Sequence, residues 1–320
     1  MSGDAFDLVV IGDCNPDVVL RGDDLTPAFG QQEKLVDSMS LVVGGSASIT
    51  AVAAARLGLR VALVAAIGDD AAGTFMLAEL AAAGVDAGAV AVRPQSPTGM
   101  TVALSQGDDR AILTAEGVMA TLTPADVPAG LIARARHVHV SSYFLLERLL
   151  GPGLAALLAA ARAAGASTSL DTNWDPAGRW GAEFFPDVLA QADLLLPNEA
   201  EALNLSGRDT LPEAAAELTA AGSRLVIKLG AQGALCADGG RRYRVQPLPL
   251  HPVDTTGAGD CFNAGLLAGL ARGLQLPQAA ALGCAAGAAS TQAAGGTAGA
   301  PGLDEALALA SQMTVRTVVS

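Results

Sequence analysis

The string Asp254-Thr255-Thr256-Gly257-Ala258-Gly259-Asp260 is followed by Cys261-Phe262-Asn263-Ala264-Gly265 and an apolar run to Leu270. It reads as a glycine turn feeding directly into a helix. The first N–H groups of a helix have no intrahelical partner, and the positive end of the helix dipole lies behind them. Gly257 and Gly259, which lack Cβ atoms, let that backbone come close to an anion. Asp260 then sets a carboxylate in the first turn of the same cradle. Such a carboxylate repels a phosphate that is merely held. It suits a neutral hydroxyl that must lose its proton beside the phosphate it attacks. The pattern points to phosphoryl transfer, with Asp260 as general base and the Gly257, Ala258 and Gly259 backbone as an anion hole. The plainer alternative is an aspartate that caps a helix after a glycine turn. The full length of the string favours the chemical reading.

Other polar clusters follow strand-like runs. Asp13 and Asn15-Pro16-Asp17 come just after the apolar stretch Asp7 to Ile11, where open α/β sheets bind ligands; a polar turn is the alternative. Gly44-Gly45 precedes Ser46 to Gly58 (SASITAVAAARLG), and paired glycines before a helix let amides lie against a ligand. Pro197-Asn198-Glu199-Ala200-Glu201 follows another apolar run and equally describes a capped helix start. Lys228-Leu229-Gly230-Ala231-Gln232-Gly233 ends a further strand in glycines, either a ligand loop or a turn between strands.

The elements that must position these residues alternate along the chain. Strands are expected at Asp7 to Ile11, Arg60 to Ile67, His137 to Ser141, Ser167 to Asp171, Asp193 to Leu196 and Arg224 to Leu229. Helices are expected over Ser46 to Leu57, Ala71 to Ala83, 152–164, 198–204 and 211–221. This alternation implies an α/β fold with a mainly parallel sheet covered on both faces. Two stretches break the rhythm. Residues 13–43 carry scattered strand-like pieces, and residues 88–114 read as a hairpin turning at Gln106-Gly107-Asp108-Asp109. Together they predict a small β lid over residues 13–43 and 88–114, hinged at Gly44-Gly45, on a core made of 1–12, 44–87 and 115–320.

Composition excludes several classes of function. The net charge is −13, with 32 acidic and 19 basic residues, and no basic stripe is present to displace counterions from nucleic acid. Arg241, Arg242 and Arg244 beside Asp238-Gly239-Gly240 read as a solvated hairpin tip. The cysteines Cys14, Cys236, Cys261 and Cys284 are scattered, with no metal-like spacing. They are expected to be buried free thiols in a reducing compartment. Met1-Ser2-Gly3-Asp4 lacks the basic opening of a secretory signal, and the alanine/leucine run from Leu154 stops at Arg162. A soluble, cytoplasmic protein without membrane or nucleic-acid partners is expected.

The string from Asp254 to Asp260, with Phe262, Ala264 and Gly265, resembles the C-terminal signature of the ribokinase-like (PfkB) carbohydrate kinase family. Gly44-Gly45 with the following helix, Asn15-Pro16-Asp17, Pro197 to Glu201 and Lys228 to Gly233 resemble further motifs of that family, in the family's order, from residue 8 to about 295. The resemblance implies a three-layer α/β/α Rossmann-like core with a β-sheet lid, and ATP-dependent transfer of phosphate to a sugar hydroxyl. It implies sugar contacts from Asn15, Asp17 and the Gly44-Gly45 backbone, with Asp13 alongside. It places Asn198, Lys228, Gly230 and Gly233 at the ATP, near a helix around 283–289, and sets Glu201 on Mg²⁺ through water. Asp254 and Thr256 resemble positions that hold a monovalent cation such as K⁺ in some relatives. The lid is the surface through which a homodimer would form. Two departures bear on the sugar. Ile49 stands where the family commonly has a sugar-binding Asn, and Asp175 follows Asp171-Thr172-Asn173 where a basic residue is frequent.

Competing readings fail on particular residues. A P-loop needs a lysine that Gly68 to Thr74 lacks. A dinucleotide-binding Gly-x-Gly-x-x-Gly would have Phe262 at its third glycine and Asp260 where a pyrophosphate should rest. A non-catalytic sugar sensor would be expected to have lost the base or the anion hole. A phosphosugar kinase needs added cations, for which Lys34, Arg110 and Arg179 are the candidates. A nucleoside kinase needs a clamp, for which Phe29 or Met39 would serve.

Overall fold

The computed structural model describes residues 5–106, 109–180, 185–220 and 222–318. The N-terminal Met1 to Asp4, the turn tip at Gly107-Asp108 and the Arg110 side chain lie outside the described residues. The chain opens with β1 (Leu8–Ile11), β2 (Asn15–Arg21), β3 (Ser38–Gly44) and α1 (Ser46–Arg56), then β4 (Val61–Gly68), α2 (Ala71–Ala82) and β5 (Asp86–Arg93). After β6 (Met100–Gln106) and β7 (Asp109–Ala115) come α3 (Ala129–Ile132), β8 (His137–Val140), α4 (Pro152–Ala163), β9 (Ser167–Leu170), α5 (Phe185–Leu189) and β10 (Leu194–Leu195). The remainder is α6 (Glu199–Ser206), α7 (Leu211–Leu218), β11 (Arg224–Lys228), β12 (Ala234–Asp238), β13 (Arg241–Gln246), α8 (Ala258–Ala271), α9 (Leu276–Ser290), α10 (Leu303–Ala310) and β14 (Thr314–Val318).

Ten strands form one sheet in the order β14-β13-β12-β11-β10-β9-β8-β1-β4-β5. The run from β11 to β5 is parallel, and β12, β13 and β14 complete it as antiparallel strands. A parallel strand covered on both faces must be apolar on both, which is why β1 reads as an uninterrupted Leu-Val-Val-Ile. Leu8 and Val10 enter one core with α1, α2, α8 and α9, while Val9 and Ile11 enter the opposite core with α3, α4, α5 and α7. The result is the three-layer arrangement expected from the alternation.

The strand order reverses beside β1. The chain steps outward from β1 to β4 and β5, then returns to β8 on the other side. Loops leaving β1 and β8 diverge there, at the kind of switch point where open α/β sheets bind ligands beyond the carboxyl ends of their strands. Asp13 and Ser142 each follow by two residues the end of β1 and of β8 and lie on the two sides of that point.

A second sheet of four strands, β3-β2-β6-β7, grows directly from that edge. β2 follows the end of β1 after three residues, and β3 runs into α1 through Gly44-Gly45. The expected boundary at residue 88 falls inside β5, which pairs with β4 in the large sheet. The hairpin of the small sheet begins only at Met100. Asp86 to Arg93 carries small residues in weak alternation, so its sequence did not distinguish an edge strand of the core from an excursion. The Arg241, Arg242 and Arg244 segment forms β13, turning from β12 at Gly239-Gly240, both at positive φ. All four cysteines are free and buried. Among the described residues, no helix is long and apolar enough to cross a membrane.

Candidate active site

Gly257 adopts φ 70° as the residue before α8. A Cβ there would lie 2.7 Å from the Gly296 Cα and 3.1 Å from Ile49 Cγ2, so only glycine can make this turn. Ile49 therefore backs the turn with apolar surface, where the sequence departure left a sugar contact in question. The turn is tied down from behind. Asp254 accepts from Thr256 N at 2.9 Å, from Thr256 Oγ1 at 2.8 Å and from Gly295 N at 2.8 Å. Below it α8 and α9 approach closely. A Cβ on Gly265 would meet Leu282 O at 2.6 Å, and one on Gly283 would meet Phe262 O at 2.9 Å.

Asp260 sits in the first turn of α8 and is buried. Burial raises its pKa well above the ordinary aspartate value; the Asp171 carboxylate adds to this, while the Lys228 ammonium opposes it. Lys228 closes the site from β11. Its Nζ lies 2.6 Å from Asp171 Oδ2 and would be 3.7 Å from a Cβ on Gly259, so the ammonium borders the glycine turn. Burial works to lower the Lys228 pKa, but the Asp171 and Glu201 carboxylates outweigh it and the net shift is upward. Asn263 donates to the same Asp171 oxygen. One turn beyond Asp260, it is a fully buried amide on an otherwise apolar helix. That polar residue three positions after the aspartate was the signal by which the sequence could have shown it.

The opposite wall comes from β1, β2 and α1. Asp13 caps α1 by accepting from Ala47 N at 2.9 Å and Ser46 N at 3.1 Å. Its carboxyl is nonetheless raised in pKa, because burial outweighs these bonds. Asn15 donates to Asp17 Oδ1 at 3.3 Å and to Thr101 Oγ1 at 3.2 Å, joining β2 to β6. A Cβ on Gly44 would overlap the Asp17 carboxylate, and Gly45, at φ 74°, is hemmed by Asn15 Oδ1 and Ser48 Oγ. Asn173, also at positive φ, donates to Ser46 Oγ at 2.8 Å and accepts from Ser142 N at 2.8 Å. Asp13, Asn15, Asp17, Gly44 and Gly45 thus form one contiguous group. Asp175 does not face it. Its carboxylate accepts from Ala177 N and Trp180 N and closes its own loop.

Asn198 and Glu201 form a reciprocal cap on α6. Asn198 N donates to Glu201 Oε2 at 2.8 Å, Asn198 Nδ2 to Oε1 at 2.7 Å, and Glu201 N to Asn198 Oδ1 at 2.9 Å. Burial first, then the Asp171 carboxylate, push the Glu201 pKa up to about 7, against the pull of Lys228. Gly233, at φ 85°, packs against the β13 backbone and closes the β11–β12 turn, with Leu229 N donating to Gly233 O at 2.8 Å. Gly230, at φ 55°, faces open space. A residue absent from the sequence expectations is Arg21, whose Nη2 lies 2.9 Å from Asp254 Oδ2. Lys34 pairs with Asp24 at the surface, Arg179 is exposed, and Phe29 is 92% exposed. None of the three joins the site.

The family model described as pfkB family carbohydrate kinase matches residues 5–302. The chain belongs to the PfkB family of carbohydrate kinases. This PfkB-family chain is 32% identical to 2-dehydro-3-deoxygluconokinase of Bacillus subtilis over 302 residues, covering 88% of the chain and 90% of the relative. It is 31% identical to ribokinase of Bacillus subtilis, covering 85% and 88%. The crystal structure of a putative ribokinase II from E. coli in complex with ATP and Mg²⁺ superposes with a TM-score of 0.83 at 24% identity, over 96% of this chain and 99% of that one. The ribokinase-like fold and ATP-dependent carbohydrate kinase activity are accordingly those of this protein.

Proposed function

We propose that the protein transfers the terminal phosphate of ATP to a hydroxyl of a free, unphosphorylated sugar, with Asp260 as the base. The observation that carries this reading is the juxtaposition of the Asp260 carboxylate, the glycine turn opening α8 and the Lys228 ammonium. Asp260 accepts the hydroxyl proton, while the helix-opening N–H groups and Lys228 face the charge on the transferring phosphoryl group. Asp13, Asn15, Asp17 and the Gly44-Gly45 backbone hold the sugar. Two carboxylates and an amide suit hydroxyl donors and disfavour a second phosphate. The small sheet acts as a lid that excludes water, so that phosphate passes to sugar. The test is ADP release measured across sugars, sugar acids, phosphosugars and nucleosides. A free sugar should give the highest kcat/KM. Preference for a phosphosugar would overturn the assigned acceptor.

Gly44→Ala tests the sugar side. The added methyl must displace Asp17, and a misplacement of this kind lowers kcat/KM for the sugar by roughly 10- to 100-fold. The ATP Kd should stay as in the parent. An unchanged kcat/KM would remove Asp17 from the sugar site.

Asn198, Lys228 and the open face at Gly230 line the nucleotide side, and Mg²⁺ fits Glu201 only through water. Each Glu201 oxygen already accepts from Asn198, which leaves lone pairs for a metal-bound water but opposes direct ligation. When bound, Mg²⁺ neutralises charge on the ATP phosphates. A carboxylate raised to about 7 is largely protonated below that pH. Mg·ATP binding that needs its charged form must release a proton there and weaken about tenfold per pH unit below pH 7. Calorimetry in buffers of differing ionisation enthalpy reads that proton. Equal proton release by the parent and Glu201→Gln would exclude Glu201.

A further inference from the structure

We propose that Arg21 supplies from within the chain the positive charge that a monovalent cation would bring to the Asp254–Thr256 turn. The enzyme then runs without K⁺, and its phosphate cradle is completed only when the small sheet is in place. The inference rests on the reading that the turn at Gly257–Gly259 faces the transferring phosphate. Asp254 lies three residues ahead of Gly257, with its side chain only 4% exposed. Its Oδ1 accepts from Thr256 N and Thr256 Oγ1, and its Oδ2 from Gly295 N and Arg21 Nη2. Those bonds and the guanidinium hold the Asp254 pKa below the ordinary range, although burial alone would raise it.

A K⁺ ion needs oxygen atoms free to turn toward it. Here the carboxylate is ringed by N–H and O–H donors and by a fixed guanidinium, which would repel a second cation. The residues expected to hold a monovalent ion do not fit one. The side chain that displaces it also comes from elsewhere in the fold. Arg21 is the last residue of β2, registered against Ser38 of β3 and Ser105 of β6. Its Nε is buried without a hydrogen-bond partner, so the ion pair is the polar contact that fixes its head. A diffusible ion would serve the turn wherever the small sheet stood. An arginine carried on that sheet serves it only when the sheet is docked. Arg21 is therefore a positioning residue that ties sugar-side closure to the geometry of the phosphate side.

The experiment compares the parent, Arg21→Ala and Arg21→Lys in tetramethylammonium buffer, with KCl titrated at constant ionic strength. Turnover and melting temperature are both recorded. The parent should show no response to KCl in either. Arg21→Ala should lose roughly 10- to 100-fold in kcat, less than the roughly 10²- to 10³-fold cost of removing an anion-hole donor outright, because the donors stay and only their support is lost. KCl should recover part of that loss and raise its melting temperature, because a native-state ligand stabilises by mass action. Arg21→Lys should remain insensitive to KCl. Activation of the parent by KCl would overturn the proposal, as would a slow Arg21→Ala enzyme that KCl leaves unchanged. Should Arg21→Ala not fold, the parent and Arg21→Lys still decide it. No ADP release by the parent on any sugar would instead remove the functional reading, and the melting shifts alone would then judge the cation site.

Discussion

Asp260→Asn should lower kcat by roughly 10²- to 10⁴-fold, the range for removing a positioned general base. The ATP Kd should remain near that of the parent. The amide has the size of the carboxylate and leaves the Gly257 turn and the α8 N–H groups in place, so the phosphate cradle survives. What disappears is a proton acceptor held in a buried setting. Burial and the neighbouring Asp171 raise its pKa, so in the parent the rate should fall as pH drops through a value well above that of an ordinary aspartate. The sign follows from the chemistry, since only the ionised form can take the hydroxyl proton. Coupled ADP release for kcat, with calorimetry for ATP, measures both. Parental turnover in the variant would end the assignment of Asp260.

Lys228→Met should cost about 3–5 kcal/mol of stability, the usual penalty for leaving one member of a buried ion pair without its partner. Against a typical total of about 5–15 kcal/mol, that lies close to unfolding. Asp171 is 1% exposed and Lys228 13% exposed, at 2.6 Å, so little solvent screening is available. The double variant Asp171→Asn/Lys228→Met should recover most of the loss, because no unpaired charge remains inside. Turnover should stay low in both, since each lacks the cation beside the glycine turn. Urea unfolding gives the two midpoints. Equal stability of the single and double variants would show that the pair is not what the single change breaks.

The parts of the fold legible in the sequence were those whose pattern and environment agree. β1, β4 and the centre of β11 are apolar runs because both faces are covered, and their observed limits, like those of the more polar β8 and β9, fall within a residue or two of those expected. The edges were harder. β5 is built from small residues, and β14 is largely exposed and pairs only with β13. Neither carries a periodicity that marks a strand of the core. In the site, the α8 turn was legible because its glycines and carboxylate serve conflicting purposes unless chemistry unites them. Asn198 and Glu201 were ambiguous for the opposite reason: the same pair satisfies an ordinary helix cap, and in the structure it does so. Arg21 left no local sign. Its partner is distant in sequence, and an arginine ending a strand of a small sheet resembles any solvated charge until the fold brings it to Asp254.

The close approach of α8 to α9 has a bearing on how such an enzyme can change. At Gly265 and Gly283 the helices come so close that an added Cβ would meet the main chain of the other helix, at Leu282 O and Phe262 O respectively. The half of the site proposed to meet the phosphate therefore stands on a close-packed footing, where even one methyl group must push main chain aside. The half proposed to meet the sugar is made of side chains on strand ends and a separate small sheet, which can be exchanged singly. A scaffold divided in this way can acquire new acceptors while its donor chemistry stays fixed.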